Sequence, residues 1–245
     1  MRVNALLLCL IPLVLLSYCK KDLQEIMMDE IRLAEGASLN LELNKLRGSL
    51  KDAGTDFERA VILAKIASIN TEKGNAIEAI KSSQESVKYQ PNQYLSHYLL
   101  GKSYLQAGRY AEAETALLAS IQLKDSFALS HFELGNTYYK LKQYARAETE
   151  LKTAVRLDNT LYMAHNNLGV VKSLLGKNDD AVRSMETAVG LKPDFATAYK
   201  NLGVIYDSKL GNKGQALKNY RKYIEISPNC PERHLILSWI RVLGG

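Results

Sequence analysis

The chain has 245 residues and a formal net charge of +6, with 47% apolar and 24% charged residues. That length supports a large buried core, and that balance excludes wholesale disorder and a multi-pass membrane protein. Three cysteines and five prolines are too few for a disulfide-stapled mini-fold or a proline-rich linker protein.

Residues 1–18 read as a signal peptide: Arg2 supplies a positive charge, the run from Ala5 to Leu16 carries none, and Ser17, Tyr18 and Cys19 come next. That run is well short of the ~20 residues a helix needs to span a bilayer. The LSYC of residues 16–19 resembles a bacterial lipobox through Leu16, Ser17 and Cys19, whereas Tyr18 departs from the small residue usual before the cysteine. The resemblance makes Cys19 the lipidated first residue of an exported, membrane-attached protein. Cleavage with release and an uncleaved anchor are the alternatives. Once Cys9 is removed and Cys19 carries lipid, Cys230 stands alone and reads as a small structural residue in PNCPE. Residues 22–34 and 38–50 show apolar residues at helical spacing, so 19–59 is expected to hold the lipidated start and a pair of capping helices.

A period of 34 residues organises the chain from residue 60 to residue 229. Ala67, Gly101, Gly135, Gly169 and Gly203 form one series, Ile66, Leu100, Leu134, Leu168 and Leu202 a second, and Ala79, Ala113, Ala147, Ala181 and Ala216 a third. The first and third series lie 12 residues apart four times and 13 the last time, which puts one inserted residue in the turn KLGNKG. Five units result, at 60–93, 94–127, 128–161, 162–195 and 196–229, each reading as helix, turn, helix, turn. Glycine inside a helix costs about 1 kcal/mol against alanine, so its recurrence predicts a close helix crossing, with Ala113 or Ala147 presenting a methyl to the same contact. In 230–245, Leu235, Ile236, Trp239, Ile240 and Leu243 form the stripe of a C-terminal capping helix.

The segments HYLLGKSYLQAGRYAEAE, HFELGNTYYKLKQYARAE, HNNLGVVKSLLGKNDDAV and YKNLGVIYDSKLGNKGQAL resemble the tetratricopeptide repeat family in their Leu-Gly, aromatic and Ala positions. The resemblance covers about 170 of the 245 residues. Ala67 and Asn70 depart from the pattern in the first unit and Lys172 in the fourth, and Asp125 and Asn159 replace the terminal proline. The resemblance implies an all-α solenoid of helical hairpins wound as a right-handed superhelix, acting as a non-catalytic protein-binding scaffold.

Motifs of catalysis and cofactor binding are missing from the sequence: there is no GxxxxGK[ST], strand-preceded GxGxxG, HExxH, paired CxxC or GxSxG. An enzyme, a cofactor and a small-molecule substrate are therefore not expected. His97, His131 and His165 share one repeat position, but equivalent residues on stacked repeats are about 10 Å apart and zinc–nitrogen bonds are about 2.1 Å, so no metal site is expected and the histidines read as interhelical packing. Charge is uneven, at −2 over 20–59, +2 over 60–195 and +5 over 196–245. A pI near 9.0 admits nucleic acid formally, yet export and an apolar groove argue against it.

The resemblance also places a peptide-binding groove on the first helix of each unit. It consists of Leu95, Tyr98, Lys102 and Leu105, then Leu129, Phe132, Asn136 and Tyr139, then Met163, Asn166, Asn167 and Val170, and finally Lys200 and Asn201. The implied partner is a peptide or helix of another protein, with the membrane reached through the N-terminal lipid. Lys20 and Lys21, where aspartate would signal inner-membrane retention, favour the periplasmic face of the outer membrane. A type IV pilus pilotin-like lipoprotein and a peptidoglycan-binding accessory of a cell-wall enzyme are the alternative roles.

Overall fold

The computed structural model describes residues 39–244. The described residues form twelve α-helices and no strand. The expected signal peptide, Cys19 and the expected capping helix at 22–34 lie outside them. Contacts divide the chain after Arg109 into two compact units.

The first unit holds α1 (Leu39–Asp52), α2 (Asp56–Glu72), α3 (Ala76–Tyr89) and α4 (Tyr94–Gln106). The second expected capping segment is α1, whose Leu43 and Leu46 pack against Ile66 and Ile69 of α2. Helix α2 begins four residues before the repeat boundary expected at 60, because TDFE is a capping box. Thr55 Oγ1 accepts from the Glu58 N–H at 3.1 Å, and the Glu58 carboxylate accepts from the N–H groups of Gly54 and Thr55 at 2.9 and 3.1 Å. Those two backbone donors hold the Glu58 carboxyl below the usual range. Hydroxyls thread this unit's core. Ser86 Oγ donates to the Ala60 carbonyl at 2.8 Å, so the 2.8 Å contact between Ser86 and Ser96 uses the hydrogen of Ser96.

The second unit holds α5 (Tyr110–Leu123), α6 (Ala128–Lys140), α7 (Tyr144–Leu157), α8 (Tyr162–Leu174), α9 (Asn178–Leu191), α10 (Ala196–Ser208), α11 (Lys213–Ile226) and α12 (Arg233–Gly244). Pairs α6/α7, α8/α9 and α10/α11 are hairpins, and glycine sets how closely each closes. A methyl on Gly135 would lie 2.7 Å from Leu151 Cγ, one on Gly169 2.6 Å from Met185 Cγ and 2.8 Å from the Ala181 carbonyl oxygen, and one on Gly203 2.5 Å from the Tyr220 ring. The close crossing is as expected, but the occupant is not the alanine methyl. Leu151, Met185 and Tyr220, one turn beyond Ala147, Ala181 and Ala216, fill the space that the missing Cβ leaves.

Each hairpin turn closes the same way. Gln143 N–H donates to the Tyr138 carbonyl at 2.8 Å and Lys177 N–H to the Lys172 carbonyl at 2.9 Å, over a residue with positive φ. That residue is Gly176 in one turn but Lys142, at φ 59°, in the other. In the last hairpin Asn212 N–H reaches back to Tyr206 at 2.8 Å, so the inserted residue widens this turn by one and leaves the helices in phase.

Helix α12 packs Ile236, Trp239, Ile240 and Leu243 onto Ala216, Tyr220 and Tyr223 of α11, with the Trp239 ring 5.3 Å from Tyr220. Leu235 remains 49% exposed, off that stripe. Cys230 is buried in the same cluster.

Candidate peptide-binding face

Helices α6, α8 and α10 are the first helices of consecutive hairpins, and their side chains meet at the amides. Asn201 Nδ2 donates to Asn166 Oδ1 at 3.0 Å, Asn166 Nδ2 to Asn167 Oδ1 at 2.9 Å, Asn167 Nδ2 to Asn136 Oδ1 at 2.8 Å, and Asn136 Nδ2 to Glu133 Oε2 at 3.1 Å. The carboxylate end fixes the direction of the whole chain. Glu133 Oε2 accepts, so Asn136 turns its NH₂ toward it and its oxygen toward Asn167, and the same order passes to Asn166 and Asn201. Each asparagine keeps a second N–H, and Asn201 keeps its oxygen. Met163 and Val204 flank the chain at 42% and 38% exposure.

The four predicted asparagines are thus brought together, bonded to one another rather than standing as separate rungs. Leu129, Asn136, Tyr139 and Asn167 are half-buried and Met163 is exposed, as a groove requires. Other predicted groove residues lie elsewhere. Phe132 is 7% exposed, Val170 packs against the core cluster of Leu202 and Ile205, and of the four asparagines Asn166 is itself buried at 3%. Lys200 is turned to the C-terminal cap, where it donates to Glu232 at 2.6 Å with its ammonium 5.6 Å from the Tyr223 ring centre. Leu95 and Tyr98 on α4, in the first unit, are 1% and 6% exposed, whereas Lys102 and Leu105 are half-buried. Large apolar side chains at this register are drawn into helix packing because their burial is worth about 2 kcal/mol each, more than a half-open position returns. Glu133, which ends the amide chain, is not singled out by the repeat pattern; its spacing of three from Asn136 on one helix was the available signal.

The repeat histidines do more than pack between helices. His97 Nε2 bonds the Pro91 carbonyl at 2.8 Å, His131 Nε2 that of Asp125 at 2.9 Å, and His165 Nε2 that of Asn159 at 3.0 Å, so each ties a first helix to the turn before it. His131 also meets Glu150 through Nδ1 at 2.7 Å. Burial pulls the His131 pKa down, but the Glu150 carboxylate and the Asp125 carbonyl outweigh it, and the net direction is up. Lys172, standing where the repeats carry an aromatic, donates to Ser184 at 2.8 Å, and burial holds its pKa below the usual lysine range. Among the described residues no three His, Cys, Asp or Glu side chains converge as a metal site, and no helix is long and apolar enough to cross a membrane.

Stacked hairpins with small residues at their crossings define a helical-repeat protein. Residues 101–142 match the TPR repeat family model, and 128–161 and 175–231 match tetratricopeptide repeat models. The chain carries tetratricopeptide repeats and has their all-α solenoid fold. Solved structures agree. A crystal structure of MamA is 27% identical over 66% of this chain and 95% of that one, with a TM-score of 0.59. YrrB, described as a TPR protein with an unusual peptide-binding site, is 21% identical over 79% of this chain and 96% of its own, with a TM-score of 0.58. The APC/C hetero-tetramer Cut9–Hcn1 is 18% identical over 84% of this chain and 39% of that one, with a TM-score of 0.74. No curated protein matches the sequence.

Proposed function

We propose that this protein is a non-catalytic adaptor that holds a peptide or helical segment of another protein on the face of α6, α8 and α10. Tetratricopeptide repeat proteins are in general interaction scaffolds, and the YrrB likeness is to a protein described as having a peptide-binding site. The observation that carries the reading is the amide chain from Glu133 to Asn201. Asn136, Asn167 and Asn201 are half-buried and already held within the chain, so their remaining N–H groups can bond a partner's backbone carbonyls with little further loss of rotamer freedom. Exposed Met163 and Val204 beside them offer apolar contact.

A photocrosslinking residue placed at Met163 or Val204 is expected to capture a discrete partner in native extract, and one placed at Ile77, 83% exposed in the first unit, is not. Equal capture from all three positions would refute the assignment. The asparagines give the second arm: Asn167→Leu, which breaks the chain at its centre, is expected to abolish capture from 163.

We further propose an envelope location, with lipid on Cys19 at the periplasmic face of the outer membrane, on the strength of the LSYC segment. Labelled palmitate is expected in the natural chain and lost in Cys19→Ser; label retained in the variant sinks the proposal. The pilotin-like and peptidoglycan-accessory roles gain no support from the described residues beyond the general adaptor.

A further inference from the structure

The fifth hairpin carries a second concave feature, a cleft of about 610 Å³ between α9 and α11 with α10 as its floor. Its floor residues Tyr199, Leu202 and Tyr206 recur at helical spacing on the side of α10 opposite Asn201 and Val204. The cleft and the amide face therefore look in opposite directions. Val189 of α9 and Leu217 of α11 continue the apolar lining.

The lining carries three cations, Lys218, Arg221 and Lys222, against two carboxylates, Glu186 and Glu225. Lys218 and Arg221 of α11 are exposed at the edge of the cleft, and neither is paired with a carboxylate among the described residues. Lys222 beside them is already bound to Glu225 at 2.6 Å, and Glu186 on the α9 wall accepts from the Tyr206 hydroxyl at 3.4 Å. One repeat earlier the register positions of Lys218 and Arg221 hold Arg183 and Glu186, and two repeats earlier Thr149 and Lys152. A double cation at this place belongs to the last repeat, within the fifty residues that carry +5 of the chain's net +6.

We infer that the α9–α11 cleft is a second recognition site, for an acidic peptide segment of a partner protein that inserts one large apolar side chain against Tyr199 and Tyr206 while its carboxylates meet Lys218 and Arg221. The floor decides against a nucleic-acid strand: it is built of aliphatic and phenolic side chains that receive an apolar group, and the two cations lie on one wall rather than along a phosphate track. The pairing of a buried apolar anchor with rim charges is the usual division of labour at a peptide site, with the anchor holding and the charges steering.

The test uses the full chain and fluorescently labelled synthetic peptides: an acidic one with a central tryptophan, the same with tryptophan replaced by serine, and a lysine counterpart of the first. The acidic tryptophan peptide is expected to bind, with the other two weaker by about tenfold or more. Lys218→Glu/Arg221→Glu, and the milder Lys218→Gln/Arg221→Gln, are expected to lose that binding at least as far, and both pairs are surface changes compatible with folding. Equal binding of the serine peptide, or binding that survives both variant pairs, overturns the site. So does a result in which the acidic peptide fails while an oligonucleotide, anionic phosphatidylglycerol vesicles or a second copy of the chain binds and is lost in the variants. Capture through positions 163 and 204 is expected to persist in these variants, so failure here and failure of the amide-face reading are separate events.

Discussion

The two units solve the same packing problem with different side chains. In the first, Ala67 stands at the crossing register of α2/α3, the hairpin that lies wholly within that unit, and the contact between α3 and α4 is made by buried Ser86 and Ser96, bonded to each other, with Ser86 also bonded to the Ala60 carbonyl. In the second, glycine takes the crossing register at 135, 169 and 203. There the serine contact survives only as Ser120–Ser130, at 2.7 Å, and gives way to the fully buried pairs Ala154/Ala164 and Ala188/Ala198. The hydroxyl solution needs every hydrogen placed, whereas the alanine solution needs only shape. A hairpin closed on glycine leaves no room for growth, because Leu151, Met185 and Tyr220 already occupy the vacated space.

The largest effect that separates the two units is expected at the crossing. Gly169→Ala should cost about 2 kcal/mol or more despite alanine's better helix propensity, since the Ala181 carbonyl cannot move aside. Ala67→Gly, the reverse change at the same register, should cost only about 1 kcal/mol. Urea midpoints of the two variants decide it, and equal losses would dissolve the distinction between the units.

Next comes the hydroxyl pair. Ser86→Ala strands the Ser96 hydrogen and is expected to cost about 1–3 kcal/mol, Ser96→Ala less, and the double variant less than the sum of the two. That double variant reproduces the later Ala154/Ala164 solution in the first unit. Additive losses in a double-mutant cycle would show that the hydroxyls are not coupled.

A smaller gain is predicted in the second unit, where Lys142 holds the left-handed conformation that glycine holds in the equivalent turns. Lys142→Gly should raise stability by about 1 kcal/mol, the steric cost of a side chain there less the entropy of glycine in the unfolded chain. An unchanged or lower melting temperature contradicts it.

Smallest is the pH dependence at His131. Its pKa is raised in the folded chain, so the stability it contributes is fully present below the unfolded value near 6.5 and is lost as pH rises through the higher folded value. His131→Gln is expected to flatten the decline of the urea midpoint as pH rises above about 6.5. A variant with the same slope as the natural chain would mean that the Glu150 contact is not felt.

Much of the fold was legible in the sequence because a repeat writes its packing rules several times over. Helix–turn–helix order, the crossing glycines, the insertion in KLGNKG and the capping stripe of α12 all come from spacing. So did the presence of asparagine on the first-helix face. Readings that failed share one cause: spacing assigns a side chain to a face but not to a partner. Phe132 and Tyr98 sit at groove register yet are buried, and Lys200 sits there yet bonds Glu232 in the turn before α12, a contact no local pattern encodes. The histidines were placed correctly on their helices, but their bonds go to turn carbonyls six residues back, which depends on how the turn folds over the helix end.

By itself the sequence determined what is periodic: helix lengths, turn positions, and the small residues that let helices meet, since each is a local steric requirement repeated in phase. Tertiary structure alone decided what crosses between helices. It joined Asn201, Asn166, Asn167, Asn136 and Glu133 into one directed chain, and it opened a cleft on the other side of α10 with Lys218 and Arg221 on one wall. Hydrogen-bond direction and cavity shape depend on distances of a few ångströms between residues far apart in sequence, and only the packed helices fix those distances.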